Sequence, residues 1–341
     1  MDELRQGLVL PVRIDPTGRL GPTRSQARNP RHWERTSHGY YRPPGAFEGA
    51  VPVEQRIVDA SVVVPPGGAI TGWAALRWLA NGWFDGTDAS GAQLPVPILI
   101  STHDVRPQPG IAVSGEGTGP DEIVVVDGLR VTSPAWSTSF VMRHARSVQD
   151  AVIALDMAAY SDLVSIKEVA DLVAGQSSWT GVPQARGAVA LGSENAWSPA
   201  EVRMRLLWQA AFEGARPVAN LPLFDLHGRH LGTPDLVDVA AGVLGEYDSV
   251  LHLDSDRRRA DRSKDELYAE HGLQVVRWLS GDHPGDVLAH LHAAHVRAAR
   301  WNGPRSWTAD PPPGWTSTAT VAARRALTAE QRSRFLRYRI A

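Results

Sequence analysis

Two short stretches of the chain carry acidic residues at a spacing that suits metal chemistry. Asp235 follows Pro234 near one apolar strand, and the pair Glu246 and Asp248 lies within the next. Neighbouring strands would bring these carboxylates side by side, and carboxylate oxygens are the ligands that a hard cation such as Mg²⁺ requires. A cation held in this way activates water and stabilises a leaving phosphate oxygen. The pattern is therefore typical of nuclease chemistry.

Each of these acidic residues also suits an ordinary structural role. Asp235 would serve as a turn residue, and Glu201 would serve in the first turn of a helix that Ser198 caps. Glu246 differs from them because it belongs to an apolar stretch that begins at 242–244, where an unpaired charge is costly. A functional role is favoured for Glu246, and both roles stay open for the other two.

The elements around these residues predict a mixed α/β domain over residues 198–301. Ser198 and Pro199 are typical of a helix start, and apolar residues then recur at helical spacing. The predicted order is helix, three strands, helix, strand, helix. After the first helix, the predicted segments are 217–224, 230–239 and 243–248 as strands, 254–272 as a charged helix, 273–279 as a strand and 283–301 as a helix.

This order and these residues resemble the PD-(D/E)XK nuclease superfamily, and in particular its branch of proteins similar to very-short-patch-repair endonucleases. The resemblance covers about residues 198–300. Asp235 matches the Asp of the family motif, Glu246 matches its second acidic residue, and Glu201 matches the acidic residue of the first helix. The resemblance implies a restriction-endonuclease-like αβββαβ fold in which these three carboxylates hold Mg²⁺ or Mn²⁺.

The lysine of the superfamily motif would fall at Asp248 and is absent, as is common in this branch. His252 or Lys264 would take its role, because general acid–base catalysis needs only a group within reach that has a suitable pKa. The resemblance therefore implies the catalytic set Glu201, Asp235, Glu246, Asp248, His252 and Lys264. Arginines near the start of the charged helix are expected to contact DNA phosphates, with a solvated helix face as the alternative: Arg257, Arg258, Arg259 and Arg262.

Residues 20–175 resemble the N-terminal regions of AbiEi-type antitoxin-like proteins. The matching segments are 21–24, 33–41, 65–76 and 127–134. The resemblance implies a degenerate winged-helix segment over 1–50 and a small α/β module over 51–175. Basic residues around Trp33 would contact DNA phosphates, with a solvated N-terminal segment as the alternative. They are Arg24, Arg28, Arg31 and Arg35.

Composition limits the remaining possibilities. A chain of 341 residues is expected to form two or three domains, and we predict a linker at 176–197 and a Pro-rich connector with a C-terminal helix at 302–341. The chain has no cysteine, which excludes disulfides and thiolate catalysis and fits a reducing cytosol. No apolar run approaches the roughly 20 residues that span a bilayer, and the first residues do not suit a signal peptide. We therefore expect a cytoplasmic protein without membrane contact.

Two functions follow from these observations. The first is a metal-dependent endonuclease-like protein that acts on DNA in defence or repair, which the presence of both metal-binding carboxylates favours. The alternative is a catalytically inactive DNA-binding transcriptional regulator or an antitoxin with a toxin partner, which the missing lysine at Asp248 favours. The sequence leaves the oligomeric state open.

Overall fold

The computed structural model describes residues 4–47, 49–79, 82–100, 105–248 and 264–339. The chain forms two compact units, one within Met1–Arg146 and Lys167–Arg186, the other within Ser147–Ile166 and Gly187–Ala341. Both contain helices and β-strands, so the predicted α/β class is confirmed. No helix among the described residues is both long enough and apolar enough to cross a bilayer.

The first unit begins with an antiparallel sheet. Its strands are β1 (Val12–Arg13), β2 (Glu34–Ser37) and β3 (Tyr40–Arg42), in the order β1-β3-β2. Cross-strand pairing places Arg13 opposite Tyr40. A short 3-10 turn, Gln26–Arg28, lies between β1 and β2.

A five-stranded mixed sheet follows in the same unit, in the order β6-β5-β4-β8-β7. Asp127 and Gly128 both have positive φ angles, 45° and 78°, as the tight hairpin between β7 and β8 requires. The core against this sheet includes the fully buried Ile70 and Trp78. The elements, in chain order, are α1 (Val53–Ser61), β4 (Ala69–Ile70), α2 (Gly72–Trp78), β5 (Val96–Leu99), β6 (Ile111–Ser114), β7 (Ile123–Val126), β8 (Leu129–Thr132) and α3 (Pro134–His144).

Three helices occupy the middle of the chain. They are α4 (Val148–Tyr160), α5 (Ile166–Gly175) and α6 (Val182–Leu191). The helix α4 belongs to the second unit. The helix α6 lies inside the segment 176–197 that was predicted as a linker.

The second unit contains two sheets. A four-stranded sheet has the order β14-β13-β12-β9, and a three-stranded sheet has the order β11-β10-β15. Strands β13 and β14 are parallel, and the other pairs are antiparallel. The elements are α7 (Pro199–Ala211), β9 (Val218–Ala219), β10 (Leu223–Asp225), β11 (His230–Gly232), β12 (Leu236–Asp238), β13 (Val243–Asp248), helical residues 264–270 (α8), β14 (Gln274–Leu279), α9 (Pro284–Ala299), β15 (Trp307–Thr308), α10 (Val321–Arg325) and α11 (Ala329–Phe335).

The strands predicted at 217–224 and 230–239 each contribute to both sheets of this unit. The first is interrupted at Asn220, whose φ of 48° lies outside the extended region. The second is interrupted around Pro234, which has no N–H to donate to a strand ladder. The single C-terminal helix that was predicted is instead the pair α10 and α11.

A buried ion pair fixes the position of α7. Asp156 of α4 is fully buried and accepts a hydrogen bond of 2.7 Å from Nη2 of Arg205 on α7. Arg205 also donates to the Leu191 carbonyl at 2.6 Å, and the Ser193 N–H donates to Asp156 at 2.7 Å. Burial raises the pKa of Asp156 to about 7, although the Arg205 guanidinium acts in the opposite direction. The contacts pair the two charged groups and hold α4 and α7 together, although the buried Nε of Arg205 makes no hydrogen bond to the described residues.

Candidate functional site

Strand pairing brings Asp235 and Glu246 together. Strands β12 and β13 pair antiparallel with Leu236 opposite Gly245, so one more step of this register puts Asp235 opposite Glu246. Directly opposed residues of an antiparallel pair project from the same face of the sheet. Asp235 directly precedes β12 and does not belong to it, so the extended register places it beside Glu246 at the end of the strand pair.

The Asp235 carboxylate is held by the neighbouring strand. Its Oδ2 atom accepts a 2.6 Å hydrogen bond from the backbone N–H of Tyr247. Burial, together with the nearby charge of Glu201, raises the pKa of Asp235 to about 7, and the Tyr247 hydrogen bond opposes that rise. Asp235 is therefore a carboxylate whose ionised form is costly in its present surroundings.

Glu246 has a similar environment and a cationic neighbour. Burial raises the pKa of Glu246 to about 7, Lys264 opposes the rise and Asp235 adds to it. The Nζ atom of Lys264, at the start of the described part of α8, donates to Oε1 of Glu246 at 2.7 Å. The Lys264 ammonium also lies 5.6 Å from the ring centroid of Tyr268. Within the described residues, Lys264 is the cation that forms an ion pair with this acidic pair.

Glu201 lies in the first turn of α7, where sequence analysis expected it. Ser198 caps the helix by accepting from the Glu201 N–H at 3.2 Å. In return, Oε1 of Glu201 accepts from the Ser198 hydroxyl at 3.0 Å, and Oε2 accepts from the Trp197 N–H at 2.8 Å. Burial raises the pKa of Glu201, these hydrogen bonds oppose the rise, and Glu246 adds to it. Glu201 therefore serves as a capping residue and is also electrostatically coupled to the pair.

Asn220 connects Glu201 to the strand that leads to Asp235. Its side-chain amide donates to Oε2 of Glu201 at 2.6 Å and to the Asn195 carbonyl at 2.8 Å. Its backbone N–H donates to the carbonyl of Asp235 at 2.9 Å. Sequence analysis missed both asparagines, since a single Asn has no spacing pattern; the only available indication was that Asn tolerates left-handed backbone better than most residues do.

Asp248 is engaged by an arginine. Its Oδ2 atom accepts from Nη1 of Arg277 on β14 at 2.8 Å, and Nη2 of the same arginine contacts both oxygens of Asp265 at 2.8 and 2.9 Å. Asp248 lies two residues after Glu246 on β13, so the two side chains project from the same face. Arg277 lies in register with Glu246 on the parallel strand β14, and its side chain reaches Asp248, the position where a lysine was expected.

The other predicted residues fall into two groups. His252, Arg257, Arg258, Arg259 and Arg262 lie outside the described residues. The N-terminal arginines belong to the first unit and are exposed: Arg24, Arg28, Arg31 and Arg35. Arg35 donates to the Ser37 carbonyl at 3.3 Å and to His38 at 3.0 Å.

Whether a metal ion fits this site depends on how many acidic side chains come together there. Within the part of the chain that the structure describes, no three His, Asp or Glu side chains are arranged as the ligands of one ion. Two adjacent carboxylates remain, and Mg²⁺ is commonly bound by only one or two carboxylates together with water and substrate phosphates. Asp235 and Glu246 fit that reduced set, and burial and the nearby carboxylates raise both pKa values, so either a proton or a cation between them would be favourable.

The chain was also compared with known proteins. These comparisons found no matching family model, no curated protein with a significant match and no solved structure with a significant match. The function is therefore inferred from the residues and geometry of this chain.

Proposed function

We propose that residues 198–300 form a metal-dependent endonuclease-like domain that hydrolyses DNA phosphodiesters. The observation that carries this proposal is the Asp235–Glu246 pair, in which Asp235 directly precedes β12, Glu246 lies on the neighbouring β13, and both pKa values are raised to about 7. The order of elements gives further support. Around the four-stranded sheet, α7, β9, β12, β13, α8 and β14 follow one another in an αβββαβ order, with β10 and β11 of the other sheet inserted between β9 and β12.

The electrostatics of the pair explain why a divalent cation would bind. Two buried carboxylates repel each other when both are ionised. At neutral pH this repulsion lowers the stability of the fold unless the pair takes up a proton or binds a cation. A Mg²⁺ or Mn²⁺ ion held by Asp235 and Glu246 would polarise a phosphodiester and lower the pKa of bound water. Glu201 would add a third negative charge through its place at the start of α7.

Lys264 is proposed to take the role of the lysine that is absent at Asp248. Its ammonium lies 2.7 Å from Glu246, and its side chain is 33% exposed, so it can reach both the acidic pair and a substrate. The Nζ atom would donate a hydrogen bond to the attacking water or to a phosphate oxygen. His252 stays an alternative for this role.

A specific observation favours the second candidate function, a DNA-binding regulator or antitoxin without catalysis. Lys264 neutralises Glu246, and Arg277 bridges Asp248 and Asp265, so protein cations already balance much of the acidic charge. A fold that keeps these ion pairs needs no metal for its stability. Such a protein would bind DNA or a toxin through its surface, with the winged-helix-like N-terminal segment as the proposed DNA contact.

The experiment that separates these functions compares cleavage with binding. We expect wild-type protein to cleave DNA in Mg²⁺ or Mn²⁺, and Glu246→Ala to abolish cleavage. DNA binding by Glu246→Ala should be unchanged or tighter, because removing the carboxylate removes its repulsion of phosphate. The control is Glu270→Ala, which removes an exposed carboxylate from α8, the helix that carries Lys264, and should leave cleavage unchanged.

The opposite result is equally clear. If pure wild-type protein cleaves neither single- nor double-stranded DNA or RNA with either metal, yet binds a specific DNA or a toxin-like protein, the nuclease proposal is wrong and the regulator is supported. Equal loss of cleavage in Glu246→Ala and Glu270→Ala would also contradict the assigned site.

A further inference from the structure

A wide depression in the first unit has properties of a ligand site. It has a volume of about 780 Å³ and lies beside the sheet of β1, β2 and β3, next to residues 62–66 and 105–108. Its volume falls in the range of about 300 to 1,000 Å³ that is usual for small-molecule sites. All of its lining residues belong to the first unit, so the site is separate from the carboxylate pair of the second unit.

The lining of this depression is basic. Arg13, Arg106 and His38 contribute to it, and none of the described residues that line it is acidic. Among the described residues, no carboxylate forms an ion pair with Arg13 or with Arg106. This distinguishes them from buried Arg42 of the same unit, which contacts the carboxylates of Glu34 and Asp59. Two arginines without a carboxylate partner on one concave surface favour an anion, and guanidinium groups match phosphate in particular.

The strand pairing of β1 and β3 fixes one of these arginines. Arg13 lies opposite Tyr40, its Nε atom donates to the Tyr40 hydroxyl at 2.8 Å, and its guanidinium carbon lies 5.0 Å from the Tyr40 ring centroid. These contacts use Nε and leave the two terminal nitrogens of Arg13 as donors. A side chain restrained in this way loses less conformational entropy when it binds a ligand.

The rest of the lining is apolar, with one amide. Val62, Val63, Val64 and the prolines that follow form a partly exposed apolar surface beside the Tyr40 ring. Gln108 is oriented because its Oε1 atom accepts from the His38 N–H at 2.7 Å. Its amide nitrogen makes no hydrogen bond to the described part of the chain, so it stays a donor. An apolar surface, an aromatic ring and an oriented amide suit a planar heterocycle with polar edges.

We propose that this depression binds a nucleotide, with the phosphate at Arg13 and Arg106 and the base against Tyr40 and the apolar residues 62–64. The nucleotide is either a free molecule or one unit of a nucleic-acid strand, since both present the same phosphate and base. The proposal stands on the first unit alone and does not depend on hydrolysis by the second unit.

The test measures binding by the full-length protein of two probes, deoxyadenosine monophosphate and a short single-stranded oligodeoxyadenylate. We expect Arg106→Ala to weaken binding by about tenfold or more, which is the contribution of one charge-assisted hydrogen bond to phosphate. Arg13→Ala should weaken binding similarly. The matched control is Arg19→Ala, which removes an exposed arginine of the same unit that does not line the depression. Thermal melting of each variant checks that it is folded.

The two probes distinguish the sources of the nucleotide. Binding of the monophosphate that falls in Arg106→Ala supports a free nucleotide, and binding of the oligonucleotide alone with the same arginine dependence supports a strand. Two results would overturn the proposal: neither probe binds at millimolar concentration, or Arg19→Ala weakens binding as much as Arg106→Ala does. A protein that cleaves no DNA but passes this test would refute the hydrolysis and leave the nucleotide site standing.

Discussion

The ionised form of the acidic pair is costly to the fold, and the ion pair of Glu246 with Lys264 offsets only part of that cost. Asp235 and Glu246 both have a pKa of about 7, far above the ordinary carboxylate range, because they are largely buried and close to other acids. Residues that act in chemistry are often kept in surroundings that reduce stability. The same two residues would therefore explain both a functional property and a measurable weakness of the second unit.

This cost predicts how stability depends on pH. Because the pKa of Asp235 is raised in the folded state, the folded protein binds its proton more tightly than the unfolded chain does. The stabilising effect of that proton is complete below the ordinary Asp pKa of about 4 and is lost as pH rises towards 7. Asp235→Asn keeps a carbonyl acceptor for the Tyr247 N–H but has no charge. At pH 8 without divalent metal we expect this variant to be more stable than wild type by about 1–3 kcal/mol.

Chemical denaturation at pH 8 and pH 5 provides the check. The stability difference between Asp235→Asn and wild type should shrink at pH 5, where more of the Asp235 side chain is protonated. A variant that is less stable than wild type at pH 8, or a difference that does not change with pH, would show that the ionised Asp235 carboxylate does not lower the free energy of unfolding.

The sequence was informative about some site residues and not about others. The spacing of Asp235 and Glu246 on successive strands predicted their juxtaposition, because a short connection between strands favours antiparallel neighbours. The arginine contact of Asp248 depended on parallel pairing between β13 and β14, which are separated by a long connection. Such long-range pairs have no local pattern, so the contact between Arg277 and Asp248 was not predicted.

At the scale of elements, helix ends were the most predictable features. Ser198, Pro199 and Glu201 begin α7 as expected, because capping is a local interaction between residues three positions apart. The strands were less predictable, since the segments 217–224 and 230–239 each supply strands to two sheets. Apolar alternation identifies an extended segment but does not say where that segment leaves one sheet for another.

We expect the hydrogen bonds of Asn220 to hold the start of α7 against the sheet. It is 2% exposed, has a φ of 48°, and donates hydrogen bonds to Glu201 and to Asn195. Asn220→Ala would remove both side-chain hydrogen bonds and place a residue with a Cβ and no polar group in left-handed backbone. We expect a loss of about 2–4 kcal/mol of unfolding free energy, measured by chemical denaturation.

Asn220→Gly separates the two effects. Glycine accepts the left-handed φ without strain, so this variant should recover part of the stability lost in Asn220→Ala while still lacking the hydrogen bonds. If both variants are as stable as wild type, the contacts of Asn220 do not hold the start of α7, and another interaction must position Glu201.

At the scale of the whole molecule, the chain passes back and forth between two compact units. The helix α4 belongs to the second unit, whereas most of the next helix, α5, belongs to the first. The buried Asp156 of α4 pairs with Arg205 of the second unit. The boundaries predicted from composition follow Pro- and Gly-rich segments, whereas the compact units follow contacts between distant residues. An ion pair between helices so far apart in sequence has no local indication, so this arrangement could not be read from the chain.

The central claim is that Asp235 and Glu246 together hold one divalent cation, and titration of the protein with Mn²⁺ tests it most directly. Isothermal titration calorimetry, or the loss of the electron paramagnetic resonance signal of free Mn²⁺, should show one binding site in the wild-type protein. Binding should be tighter at pH 8 than at pH 6, because protons compete for the same carboxylates. Asp235→Asn should lose that site, and Glu270→Ala should retain it. The absence of Mn²⁺ binding to wild type at millimolar concentration, or equal binding by Asp235→Asn and wild type, would contradict the claim.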